Sequence, residues 1–199
     1  MITIVGFLSR PHGYNALCAI IGNPNYQLLK VFTHKLKPKS EDIDRSERDD
    51  YSLFEEICRK NNIPLEAIDS NSQIINNVPK CDFIVEISWR YLISQEIVKQ
   101  ASTLAFGVHR GKLPDYAGSE PIKQALEKNE SEIILSAHHL AEEIDSGGTI
   151  STITQLVNYE NSKSLTQNIQ RLRNEITPLF SKIVEITITK YQSNSKEGK

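Results

Sequence analysis

Five short apolar runs, rich in β-branched and aromatic residues and parted by polar or amphipathic stretches, constrain this chain most. They are ITIVGF (2–7), LLKVFT (28–33), CDFIVEI (81–87), TLAFGV (103–108) and EIILSAH (132–138). Runs this short and this uniformly apolar are buried strands. Between them the apolar spacing turns helical: Leu17, Ile20 and Ile21; then Leu53, Phe54, Ile57 and Cys58 within YSLFEEICRKNNIPL (51–65); then Ile97 and Val98; then EPIKQALEK (120–128). Alternation of this kind specifies a sheet whose strands run mostly parallel, with helices on both faces. Ligand sites in such folds lie outside the carboxyl ends of the strands.

The carboxyl-terminal third departs from that rhythm. TISTITQLV (149–157) alternates as a half-exposed strand does, and one last helix is expected after it. Ser164 and Gln167 have the spacing of a capping box, and Leu165, Ile169, Leu172, Ile176, Leu179 and Ile183 form an apolar stripe that suits core packing. The expected fold is therefore an α/β, Rossmann-like domain spanning residues 1–190, its sheet mostly parallel and twisted, with antiparallel strands toward the carboxyl-terminal part. The polar residues 191–199 are expected to be a flexible tail. The mixed-sign run from Lys35 to Asp50 has no apolar period and is expected to be a solvated loop.

At 199 residues with a formal charge of -2, the chain has no dominant sign, so gripping a nucleic-acid backbone is not its expected work. No apolar run approaches the length of a membrane span. Cys18, Cys58 and Cys81 are odd in number and lack C-x-x-C spacing, which reads as a reduced, cytoplasmic protein. His138 and His139 are adjacent on a strand and so face opposite ways, and no metal is expected there. The expected partner is a small molecule. Nothing in the sequence fixes the oligomeric state.

The chemistry concentrates in AFGVHRGKLPDYAG (105–118) and IDSGG (144–148). The first ends a strand on His109 and turns the backbone with Gly, Pro and Gly. The second offers Asp145 just before Gly147 and Gly148, whose conformational freedom lets the loop fold back. A carboxylate beside an imidazole fixes its tautomer and favours its charged form, which suits acid–base work near neutrality. Either residue alone would equally suit a structural hydrogen bond.

In combination, GVH (107–109), LPDYAG (113–118), PIKQALEK (121–128) and IDSGG resemble, in order and spacing, the folate-dependent formyltransferases acting on glycinamide ribonucleotide, methionyl-tRNA or amino sugars. The resemblance runs from Ser88 to Gly148 and extends more weakly from Met1 into the final helix. It implies transfer of a formyl group from 10-formyltetrahydrofolate to a primary amine, with no metal. His109 would be the proton-shuttling group and Asp145 its orienting partner. The pterin would lie against main-chain groups of Ser88, Trp89, Arg90, Tyr91 and Leu92 and of Ala141, Glu142, Glu143 and Ile144. The Leu113-Pro114 bond would be cis.

One family residue is missing. The asparagine of the family's N-x-H motif, whose amide donates to the formyl oxygen, is replaced by Gly107. Losing one such donor costs about a hundred- to a thousandfold in rate. Ser88, Ser136, Arg110 or an ordered water are the substitutes to consider, and Gly107→Asn is expected to raise the rate. Toward the amino terminus, Arg10, His12, Gly13 and Asn15 stand where glycinamide ribonucleotide enzymes hold a phosphate at a helix start. The acceptor is therefore expected to be small and phosphorylated, glycinamide ribonucleotide or an amino-sugar nucleotide, since a chain of this length has no room for the tRNA-binding domain. The alternatives are a silent folate- or acceptor-binding protein and a hydrolase releasing formate from the same donor.

Overall fold

The structure, a computed structural model, describes residues 1–118, 120–143 and 145–197, the last five of these by their backbone alone. Among the described residues, seven strands, β1 (Ile2–Leu8), β2 (Tyr26–Thr33), β3 (Leu65–Ala67), β4 (Cys81–Ile87), β5 (Ala101–His109), β6 (Glu132–His139) and β7 (Thr149–Leu156), form one sheet in the order β3-β2-β1-β4-β5-β6-β7. The pairs β1–β2, β1–β4 and β2–β3 are parallel, whereas β5–β6 and β6–β7 are antiparallel. The chain divides into two compact units, Met1–Ala105 and Phe106–Lys199.

The first unit holds β1 (Ile2–Leu8), α1 (Arg10–Gly22), β2 (Tyr26–Thr33), α2 (Tyr51–Lys60), β3 (Leu65–Ala67), β4 (Cys81–Ile87), α3 (Gln95–Val98) and the start of β5 (Ala101–His109). β1 is flanked by a parallel partner on each side, and Ile4, Val5, Phe7 and Leu8 are fully buried. A strand covered on both faces has no polar side, which is why its sequence is a continuous apolar run. α1 packs on β1 and β2. Gly13 permits the approach, because a Cβ there would meet the Leu8 backbone carbon at 3.0 Å.

β1 and β4 are neighbours, while the chain winds from β1 the other way to β2 and β3. The strand order reverses between them, and at such a point the loops leaving the two carboxyl ends part to form a crevice. Ser9 to His12 leave β1 there and Ser88 to Leu92 leave β4; the N–H of Ser9 donates to the carbonyl of Ile87 at 3.0 Å.

The second unit holds the end of β5, α4 (Pro121–Glu127), β6 (Glu132–His139), β7 (Thr149–Leu156), α5 (Leu165–Ile176) and α6 (Leu179–Glu197). α6 packs on β6 and β7. The capping box at Ser164 and Gln167 is formed in both directions.

Three local expectations are corrected. The helix after β1 starts at Arg10, well ahead of Leu17, Ile20 and Ile21 where the helical spacing was read. A short strand, β3, follows α2. The expected single final helix is two, broken at Thr177-Pro178, where proline has no N–H to continue the ladder. α6 runs through Glu197.

The segment between β2 and α2 is also more than a solvated loop. Leu36 and Glu47 form an antiparallel bridge, Lys35 pairs with Glu47 and Lys37 with Asp49. Arg48 anchors the segment at only 3% exposure. Among the described residues no helix is long and apolar enough to cross a membrane.

Candidate functional site

In the first unit Arg48 is buried beside the segment that leaves β1. The Arg48 guanidinium donates to Asp50 at 2.8 Å, to the carbonyl of His34 at 2.6 Å and to the hydroxyl of Ser9. Burial pushes its pKa down, and Asp50 opposes that. His34 lies under the loop that follows β4. Its Nδ1 donates to the carbonyl of Ile68 and its Nε2 accepts the N–H of Arg90 at 3.2 Å, so both nitrogens are satisfied by the neutral ring. Burial lowers its pKa to about 3; the Ile68 bond opposes this, and Arg90, Arg48 and Arg10 add to it.

Trp89 stacks on His34, with ring centroids 4.2 Å apart, and meets Phe7 edge-on. An aromatic just after a strand is thus used here for packing. The N–H of Trp89 donates to Glu86 at 2.8 Å. Two of the main-chain donors expected to face a pterin are therefore already engaged within the unit. Tyr91 is half-buried and Leu92 exposed. Nη1 and Nη2 of Arg90 are buried with no hydrogen-bond partner among the described residues, a costly state for a charged group.

The acceptor residues expected at the start of α1 are redistributed. Arg10 begins the helix and pairs with Glu41. His12 is buried. Gly13 and Asn15 lie inside the helix, and the Gly13 N–H is used in the helix's own bond to the Ser9 carbonyl at 3.1 Å. Gly13 serves packing against Leu8.

In the second unit His109, at the end of β5, and Asp145, in the loop between β6 and β7, come together with Nδ1 3.3 Å from Oδ2. The same oxygen accepts the N–H of Gly118 at 3.2 Å, which ties the LPDYAG turn to the carboxylate. The Leu113-Pro114 bond is cis. Nε2 of His109 is hydrogen-bonded to the carbonyl of Tyr116 at 2.6 Å. A second imidazole meets the same carboxylate: Nε2 of His138 is 3.5 Å from Oδ1 of Asp145. His138 is buried and His139 exposed, as alternation requires. Burial lowers the pKa of His138, opposed by Asp145 and by the hydrogen bond to the His139 carbonyl.

The β5–β6 register explains why His138 is there. Gly107 lies directly opposite His138, and His109 opposite Ser136. Opposed residues on antiparallel strands project from one face, so the missing side chain at 107 leaves that face to the imidazole. The Ser136 hydroxyl donates to the carbonyl of Gly111 at 2.8 Å and accepts the Leu113 N–H at 3.4 Å, which commits it to holding the turn. Arg110 lines a cavity of about 430 Å³ with Gly111, Lys112, Tyr116, Lys128 and Glu130, and neither His109 nor Asp145 belongs to it.

Three residues expected at the site hold a positive φ: Arg10 at 67°, Ser88 at 57° and Asp145 at 57°. Such backbone costs about 1 to 3 kcal/mol at a residue with a side chain and gathers at ligand sites. Ala141 is half-buried and Glu142 and Glu143 are exposed. Ile144 lies outside the described residues.

Residues 19–180 match the family model described as formyl transferase. The chain belongs to the formyl transferase family. It is 28% identical over 128 residues to a methionyl-tRNA formyltransferase of Clostridium acetobutylicum, covering 62% of this chain and 40% of that protein. It is 27% identical over 123 residues to the mitochondrial formyltetrahydrofolate deformylase 1 of Arabidopsis thaliana, covering 61% and 38%. The chain thus spans about two-fifths of the length of these relatives. The fold is shared with a phosphoribosylglycinamide formyltransferase of Brucella melitensis at a TM-score of 0.67 and 14% identity, over 96% of this chain and 95% of that one.

Sequence reasoning weighed His138 only as a metal ligand and set it aside, and it did not single out His34 or Arg48. His138 carried a signal, since residues 136 and 138 share a strand face, but its partner across the sheet is set by register. Arg48 sat in a charged run where nothing set it apart from its neighbours.

Proposed function

We propose that this chain transfers a formyl group from 10-formyltetrahydrofolate to the primary amine of a small, phosphorylated acceptor, glycinamide ribonucleotide or an amino-sugar nucleotide. The observation that carries the reading is the His109–Asp145 contact of 3.3 Å beside the LPDYAG turn, in a chain of the formyl transferase family. The buried, unpartnered nitrogens of Arg90 support an anionic ligand group at the crevice of the first unit, where Arg10 and the start of α1 add positive charge.

The chemistry asks for proton handling. An amine attacking the formyl carbon forms a C–N bond and a tetrahedral species with a negative oxygen and a positive nitrogen. The amine must then lose a proton, and the folate nitrogen must gain one as its bond to carbon breaks. His109, oriented by Asp145, suits that exchange. Its Nε2 must leave the Tyr116 carbonyl to reach a substrate.

A second reading, hydrolysis of the donor to formate, is supported by the similarity to a formyltetrahydrofolate deformylase and by Gly107, which offers no side chain to a formyl oxygen. Mixing the protein with 10-formyltetrahydrofolate, with and without glycinamide ribonucleotide or an amino-sugar nucleotide, separates the readings. Amine-dependent loss of the formyl group is expected, abolished by His109→Ala. Amine-independent loss would establish the hydrolase, and binding without loss a silent protein.

A further inference from the structure

The ring nitrogens of His109 and His138 face four oxygens. Nε2 of His109 is bonded to the Tyr116 carbonyl at 2.6 Å, and Nδ1 of His138 to the His139 carbonyl at 3.1 Å. A carbonyl only accepts, and a neutral imidazole has a single N–H, so these two bonds use both. The remaining nitrogens, Nδ1 of His109 and Nε2 of His138, flank one carboxylate, 3.3 Å from Oδ2 and 3.5 Å from Oδ1 of Asp145.

Two lone pairs facing a carboxylate repel it. A proton on either nitrogen turns that repulsion into attraction between opposite charges and brings the trio to zero net charge. The cluster therefore has a place for one proton beyond those of two neutral rings. Asp145 offers that proton two positions, one beside each oxygen. His138, at 3% exposure, meets the carboxylate on a face that Gly107 leaves open. The titratable groups that act on His138 are Asp145, His109 and His139.

We propose that His138 is the second imidazole of a proton relay in which Asp145 passes one shared proton between His138 and His109 during formyl transfer. The relay rests on the functional reading above. With the shared proton on Nε2 of His138, His109 is neutral and carries its own proton on Nε2. As the bond between the formyl carbon and the folate nitrogen breaks, its electron pair stays on that nitrogen, which takes the proton from Nε2 of His109, while the shared proton crosses Asp145 from Nε2 of His138 to Nδ1 of His109. Nε2 of His109, now a free lone pair, takes the proton of the amine nitrogen. The shared proton then returns to Nε2 of His138. One proton has moved from amine to folate, and the cluster is unchanged. His138 acts through Asp145 and so is a positioning residue.

The test that needs no substrate is nitrogen NMR of the imidazoles of the full chain between about pH 5 and 9. His109 and His138 are expected to titrate as a coupled pair in two steps, as interacting groups do, and Asp145→Asn is expected to separate them. His138 nitrogens that stay constant while His109 titrates, or an Asp145→Asn variant that titrates like the wild type, would overturn the relay. In the transfer assay His138→Gln is expected to lower kcat about a hundredfold, to leave the KM for 10-formyltetrahydrofolate unchanged and to remove one limb of the pH profile. A fall in rate with an unchanged profile means a structural role and also overturns it. Absence of transfer by the wild type refutes the functional reading and this mechanism with it.

Discussion

Replacing Gly147 with alanine should separate Asp145 from its imidazoles. A Cβ at position 147 would stand 1.8 Å from the carbonyl oxygen of His139, 2.7 Å from its carbonyl carbon and 3.2 Å from its Cα. These are backbone atoms of β6, which is fixed by β5 on one side and β7 on the other, so the loop must yield. Restoring ordinary contact requires a shift of about 1.5 Å at position 147, two residues from Asp145.

A displacement of that size opens the 3.3 Å contact with His109 and the 3.2 Å bond from Gly118. A misplacement of about 1 Å in a reacting site costs about a hundredfold in rate, while overpacking costs about 1 to 3 kcal/mol in stability. The expected outcome is a fall in kcat/KM of about a hundredfold with a thermal transition that remains cooperative. Gly148→Ala is the control, because a Cβ there meets nothing within 4 Å; it should leave both quantities nearly unchanged. A Gly147→Ala protein within threefold of wild-type activity would refute the claim that this glycine sets the position of Asp145.

Gly107→Asn, expected from sequence to restore a donor, should instead lower the transfer rate, because the new side chain shares a buried face with His138; a rate above wild type would refute this. Arg48→Ala leaves Asp50 and the His34 carbonyl without their partner, and a buried ion pair so broken costs about 3 kcal/mol or more; urea denaturation showing a loss under about 1 kcal/mol would count against the anchor. His34 is neutral when folded and has its pKa lowered to about 3, so above about pH 6.5 it adds no pH dependence. Below that value only the unfolded chain binds the proton, and stability should fall by about 1.4 kcal/mol per pH unit toward pH 3. His34→Gln should remove that component, and equal slopes in the two proteins would contradict the assignment.

Much of this molecule is written locally. The apolar runs that became β1, β4, β5 and β6 were legible because a strand buried on both faces tolerates little but apolar residues. His109 was legible because a strand ending on it is followed at once by a turn of Gly, Pro and Gly. The capping box at Ser164 and Gln167 lies within four residues of chain. The break at Pro178 was equally local, and the apolar stripe continuing past it hid it.

What the tertiary structure alone decided is which distant residues face each other. Gly107 meets His138 through the β5–β6 register, and adjacent residues carry no record of a register. Arg48 is buried because Ser9, His34 and Asp50 converge on it from separate segments, though in sequence it is one charge among many. Local propensity follows from neighbours along the chain, whereas a shared proton, a buried guanidinium or a glycine with no room for a methyl group follows from atoms that only folding brings within a few ångströms.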